Sequence, residues 1–335
     1  MKISGLRPVI TRPRVARAQS GPLDRVELSG GRPLGQVALL GAGQAAALAA
    51  LPPAAQVAFL HVWPSLAGDP NFLPLLEQGK LGQSDGQATT IEHLEKMAGQ
   101  RARGLDGHKL MAETVAAIAR PESVRQGNRY TCGATNMEAE LAAEPASFAR
   151  VVEGLTNAGG KAALDTGFPL ERAAGSERED GSGRTQLDRV VQGALMGLAG
   201  MRHGEYLALE DRFSQAPDQK GLDGIDVALM VAVARGQDQT LVIADQATRE
   251  TLRQALIQTE VPMQVGANWE GQDHMLLVKP SPSDEVQFFN PQSGPASLPV
   301  EDLLDKLQYA VLPADGLGPL PEGLAAPIRL ADLMG

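Results

Sequence analysis

A single cysteine in 335 residues excludes an intramolecular disulfide framework and any cysteine-cluster zinc or iron–sulfur centre. Aromatic residues amount to 4 %, too few for an extended base-stacking surface. Cations are outnumbered, 30 Lys and Arg against 40 Asp and Glu, and the net charge of −10 argues against nucleic acid or an anionic membrane as partner. No hydrophobic run is long enough to span a bilayer: the stretch Val37–Phe59 is Ala-rich and interrupted by Gly41, Gly43, Pro52 and Pro53. The first twenty residues carry Lys2, Arg7, Arg12, Arg14 and Arg17 without an apolar segment behind them, so no Sec signal peptide is read. A cytoplasmic protein is expected, or one exported without such a signal. There is no internal repeat. What is present is 43 % apolar residues, enough for a real core in one large domain or two ordinary ones.

Along the chain, residues 1–35 are rich in Pro, Gly and Arg and read as a flexible tail or an edge strand. Residues 36–120 read as a mainly helical region. Within it, 67–86 is a loop, Thr89 or Thr90 caps a helix to about Arg103, and His108–Arg120 forms another before Pro121. Pro145 divides two further helices, Ala134–Ala143 and Ala146–Leu155. Glu171–Arg184 is charged and Gly/Ser-rich, an exposed protease-sensitive loop, with Arg178, Glu179 and Asp180 solvated. A helix over Leu187–Met201, a strand over Thr240–Ala244 and a helix over Gln246–Gln258 follow. Strands are expected at Val261–Val265, Met275–Lys279 and Val286–Phe289. Helices first and adjacent strands last indicate α+β rather than a βαβ repeat. Residues 314–335 read as a C-terminal tail.

The chemistry centres on Cys132. A lone cysteine is ordinarily a small buried hydrophobe, but this one follows the polar loop Gln126–Thr131 and opens an apolar-periodic helix. There the orphan N–H groups and the positive end of the dipole lower a thiol pKa and can hold an oxyanion. A thiol nucleophile needs an imidazole, and the imidazole an orienting group. Of five histidines, His61 lies in an apolar run, His93 and His108 sit on helices among solvated neighbours, and His203 follows a helix. His274 begins a strand. If Met275–Lys279 and Val286–Phe289 pair as a hairpin, Asn290 lies at the same end as His274, where its carbonyl can fix the ring. Asn290-Pro291 is also an ordinary turn signal.

Gln126, then Cys132 six positions later at a helix start, then His274 on a strand and Asn290 sixteen residues beyond resemble the papain-like cysteine peptidases. The segments around Val261–Val265, Asp273–Val278 and Val286–Gly294 are similar to the bacterial double-glycine leader peptidase branch of that fold and to effector-type members. The resemblance covers residues 121–313 at most. It implies a papain-like catalytic domain there, with Cys132 as nucleophile, His274 as general base and acid, Asn290 as orienting group and Gln126 as oxyanion donor. It also implies a protein or peptide substrate, and no cofactor or metal. Where many papain relatives carry an aromatic after the nucleophile, Gly133 stands here. Residues 36–120 occupy the place of a propeptide, so a regulatory pro- or docking region in cis is expected. The same residues serve a glutamine deamidase or a transglutaminase-like enzyme, and a binding protein with an inert cysteine is the rival of another class.

Other motifs carry less. Val37–Ala46 reads as strand, GxGxxA, helix, like a dinucleotide fingerprint. The next acidic residue, Asp69, lies in a Gly-Asp-Pro turn, and Pro52-Pro53 cut the helix short. Asp223 and Asp226 read as a polar loop rather than a metal site.

Overall fold

The computed structural model describes residues 40–99, 102–258, 260–281, 283–315 and 323–333. The tail at 1–35, and the strand of the dinucleotide-like motif up to residue 39, lie outside them. The first half is helical: α1 (Ala42–Ala50), α2 (Pro53–Leu66), α3 (Phe72–Glu77), α4 (Thr90–Gly99), α5 (Gly107–Ala119), α6 (Cys132–Ala142) and α7 (Pro145–Thr156). The segment 67–86 is not all loop. Phe72, Leu75 and Leu76 of α3 share one buried face, a helical spacing that Pro74 masks in the sequence.

A short antiparallel pair, β1 (Lys161–Ala163) and β2 (Pro169–Glu171), precedes α8 (Gln186–Ala199). A second pair, β3 (Tyr206–Leu207) and β4 (Arg212–Phe213), precedes α9 (Gly224–Arg235). The reading of Asp223 and Asp226 as a polar loop is corrected. Asp223 is the N-cap of α9 and its side chain accepts from the Asp226 N–H, while the Asp226 carboxylate reaches back to the Asp223 N–H. This reciprocal capping box satisfies two orphan donors.

The rest is sheet: β5 (Gln239–Ile243), α10 (Arg249–Gln258), β6 (Met263–Trp269), β7 (Gln272–Lys279), β8 (Glu285–Asn290), β9 (Gly294–Pro299), α11 (Val300–Leu304), β10 (Leu307–Pro313) and β11 (Ala325–Ile328). Among the described residues, seven strands form one antiparallel sheet in the order β11-β5-β10-β6-β7-β8-β9. Part of the expected C-terminal tail is therefore structure, because 325–328 pairs with β5 as an edge strand. Both edges carry proline, Pro295 and Pro299 on β9 and Pro327 on β11, which blunts them against further pairing.

Strand alternation assigns the two faces. Met275, Leu277, Phe289 and Val311 pack into the core of the helical half, while Leu276, Val278, Phe288, Ala310 and Leu312 pack against Leu252 and Leu256 of α10 and Leu303 of α11. The chain is thus α+β, with helices on both faces of an antiparallel sheet. The described part of the region 36–120, from residue 40 on, shares its core with the rest: α4 packs on α7 and α5 on α6 and α8, within one apolar cluster running from Leu40 to Val311. His93, expected among solvated neighbours, is buried there. Its Nδ1 lies 2.6 Å from Glu153 and its Nε2 3.3 Å from Asp85, which Arg150 also reaches at 2.7 Å. No helix of the described residues is long and apolar enough to cross a membrane.

Candidate active site

The loop that delivers Cys132 is held from several sides. Gly127 has a left-handed backbone and lies so close to the Ser182 carbonyl that a Cβ would collide with it, so glycine is required there. The Asn128 N–H donates to the same carbonyl at 3.2 Å. Arg129 donates to the Asp180 carbonyl at 2.9 Å, and the Tyr130 N–H to Asp211 at 2.9 Å. Thr131, the residue before Cys132, donates its hydroxyl to Gln192 at 2.9 Å, and Gln192 in turn donates to the Arg125 carbonyl at 3.0 Å and to Glu138 at 2.8 Å. One buried glutamine of α8 thereby ties both ends of the loop.

The expectation that 171–184 is a solvated loop is corrected on the same ground. Asp180 is buried between Arg129 and Arg184. Burial alone would raise its carboxyl, but hydrogen bonds from Ser182 and Arg184 more than offset this and hold it down at about 2. Arg178 and Glu179 are exposed as expected, Glu179 pairing with Arg189 at 2.9 Å, so the correction concerns Asp180.

On the other side, β6 and β7 are joined by a two-residue turn in which Glu270 and Gly271 both have positive φ, 53° and 82°, the twist that suits a tight hairpin. The β7–β8 register pairs Leu277 with Phe289, so that His274 and Asn290 share a face two residues apart. The imidazole Nε2 meets the Asn290 side-chain carbonyl at 2.9 Å, and that same oxygen accepts the Gln292 N–H at 2.9 Å. With Nε2 donating, Nδ1 carries the lone pair.

Cys132 and His274 line one groove of about 420 Å³, together with Tyr130, the loop Gln219–Gly224, Gly266, Asp273, Met275, Gln308 and Tyr309. Among the described residues, none of its lining comes from before Tyr130. The half-buried sulfur faces the backbone N–H groups of Met275, Gly133 and Cys132 itself. Among the described residues no hydrogen bond joins it to His274, whose ring is engaged by Asn290. The pleat explains this: His274 has the parity of Leu276 and Val278, while α6 lies on the face that carries Met275 and Leu277. What the two side chains share is the lining of the groove.

The resting charges differ from the helix-dipole expectation. Burial pushes the Cys132 thiol up, with a further push from Asp211, against the pull of the three N–H groups. Burial pushes His274 down, partly countered by Asn290. Both shifts favour a neutral thiol beside a neutral imidazole rather than an ion pair. Gln126 is buried behind the loop and is not part of the groove lining. Its amide nitrogen donates to the Arg129 carbonyl at 3.0 Å, and its side-chain oxygen is without a partner.

Several groups at the site carried no readable sequence signal. Gln192 and Asp211 lie 60 and more residues from the loop they hold. Tyr309, opposite Gly266 across β6 and β10, folds its ring over that glycine and donates its hydroxyl to the Met275 sulfur at 3.0 Å. A carboxylate–imidazole group beside the groove, His203, Asp223 and Asp226, brings three potential metal ligands together. Its oxygens are already taken: Arg202 bridges Asp223 and Asp226 at 3.0 and 2.7 Å, and Gln219 donates to Asp226 at 3.1 Å. The group works as a clamp on the Gln219–Asp223 wall. No family model, curated protein or solved structure matches this chain.

Proposed function

We propose that the protein is a cysteine-dependent acyl-transfer enzyme, a thiol peptidase acting on peptide or isopeptide bonds through Cys132, His274 and Asn290 on a papain-like plan. The observation that carries this reading is the oriented imidazole. Nε2 of His274 is bound to Asn290 at 2.9 Å, leaving Nδ1 as base, in a groove shared with the chain's one thiol, which stands at a helix N-terminus.

In the proposed cycle His274 Nδ1 takes the thiol proton as sulfur attacks the carbonyl carbon. The oxyanion is met by the Cys132 N–H. The C–N bond breaks, and the imidazolium returns its proton to the leaving amine. Water then attacks the thioester, giving one proton to His274; the C–S bond breaks, the acid leaves, and the imidazolium returns that proton to the sulfur. Asn290 holds the ring in its working tautomer throughout. The sulfur–imidazole bond absent at rest forms as substrate enters; such bonds are often loose without ligand.

An unfolded, glutamine-rich protein incubated with the full chain separates the possible reactions. New N-termini indicate a peptidase, ammonia release without chain cleavage a deamidase, and incorporation of a fluorescent amine a transglutaminase-like enzyme. The expected result is chain cleavage, lost by a factor of 10³ or more, to order of magnitude, in Cys132→Ala and His274→Ala. Absence of all three products, with iodoacetamide labelling Cys132 only after denaturation, overturns the reading in favour of an inert cysteine.

A further inference from the structure

Asp211 is the least expected residue near the site. It is buried at 8 % exposure and holds a left-handed backbone, φ 52°, where a non-glycine residue is strained and needs support from its surroundings. Its two carboxylate oxygens do different work. Oδ2 accepts the Tyr130 N–H at 2.9 Å, and Oδ1 accepts the hydroxyl of Tyr206 at 2.7 Å. Tyr206 is itself fully buried, so the carboxylate is fixed from behind and aimed at the peptide two residues before the nucleophile.

We propose that Asp211 is a positioning residue of this site, whose carboxylate locks the Tyr130 peptide and sets a negative charge against the positive end of the α6 dipole. This rests on Cys132 being the working thiol. The charge acts in the same direction as burial, and it helps explain why the sulfur does not show the lowered pKa that a helix N-terminus alone would give. Behind Asp211 the neighbouring charged groups are Arg129 and Arg184, which act on Tyr206. Around the sulfur the titratable and charged groups are His274 and Asp273 of β7, Tyr309 of β10, and Lys220 and Asp223 of the groove wall. The consequence is a nucleophile that waits as a thiol and is shielded from adventitious alkylation until the base removes its proton.

The test reads the thiol itself, so it does not depend on turnover. The full chain is alkylated with iodoacetamide from pH 5 to 10, and the Cys132 adduct is quantified by mass spectrometry. In Asp211→Asn, which keeps an acceptor for Tyr130 but removes the charge, the midpoint of reactivity should fall by roughly half a pH unit or more. In Tyr206→Phe, which removes the donor to the carboxylate and keeps its charge, the midpoint should rise. Unchanged midpoints in folded variants, or a shift in Asp211→Asn toward higher pH, overturn the proposal. If Asp211→Asn does not fold, the Tyr206→Phe arm decides. A shift as expected with no substrate turnover in the wild type leaves Asp211 in its role and removes only the peptidase reading.

Discussion

A thiol pushed up and an imidazole pushed down make a pair with no charge at rest. The site can then work only where His274 is neutral and can take the proton. Because burial lowers His274 from its ordinary 6.5, the base stays competent at a pH where a free imidazole would be protonated. Because burial raises Cys132 from its ordinary 9.0, free thiolate appears only above that value. The expected pH profile of kcat/KM is a broad plateau whose acid limb lies below 6.5 and whose alkaline limb lies above 9.0. A preformed thiolate–imidazolium pair would instead keep the sulfur reactive down to about pH 4. Iodoacetamide labelling of Cys132 that stays fast at pH 5 would rule out the neutral pair. Glu138, on α6, follows the same physics: burial raises its carboxyl well above the ordinary range, against the pull of the Gln192 hydrogen bond.

At the scale of elements, the groove depends on how closely β6 and β10 approach. Gly266 and Tyr309 stand opposite each other, and the ring occupies the volume that any β-carbon on residue 266 would need. Gly266→Ala should therefore displace Tyr309, break its hydroxyl contact with the Met275 sulfur and reshape the wall beside Cys132. The expected cost is about 1–3 kcal/mol of stability, read by denaturant unfolding, with a larger proportional loss of turnover. A variant as stable and as active as the wild type would show that the ring does not build the groove. The loop before α6 obeys the same logic from the other side: Ser182 and Asp211 hold its backbone and Asp180 and Gln192 its side chains, so Cys132 is delivered by a fixed segment.

At the scale of the molecule, residues 40–99 and 102–120 are built into the fold. Their helices share one core with α6, α7 and α8, and the His93, Asp85, Arg150 and Glu153 cluster is a polar joint across the same seam. Such a joint is costly to open, because a buried charge that loses its partner is destabilising by several kcal/mol. A chain starting at Pro121 should therefore fail to fold cooperatively, with loss of near-ultraviolet circular dichroism and aggregation. It should not show the gain of activity that removal of an inhibitory pro-region would give. A folded and more active 121–335 fragment would reverse this conclusion. Among the described residues the groove lining contains none before Tyr130, so helices α1 to α5 do not occupy it.

Local patterning was enough to read most helices of the middle region to within a few residues, because α4 to α8 carry apolar spacing, caps and prolines that act over one or two turns. It was also enough to single out Cys132, His274 and Asn290, since a thiol at a helix start and an imidazole at a strand start are local features. Other elements and contacts stayed hidden for physical reasons. α3 is interrupted by Pro74, and the Asp223–Asp226 capping box is as readable as a loop. β10 and β11 gain their meaning only from strands about 40 to 90 residues away. The resting charge of the thiol could not be read locally either. The helix dipole is a property of one element, whereas desolvation by β7 and the carboxylate of Asp211 are set by which segments pack together, and in this protein those long-range terms prevail.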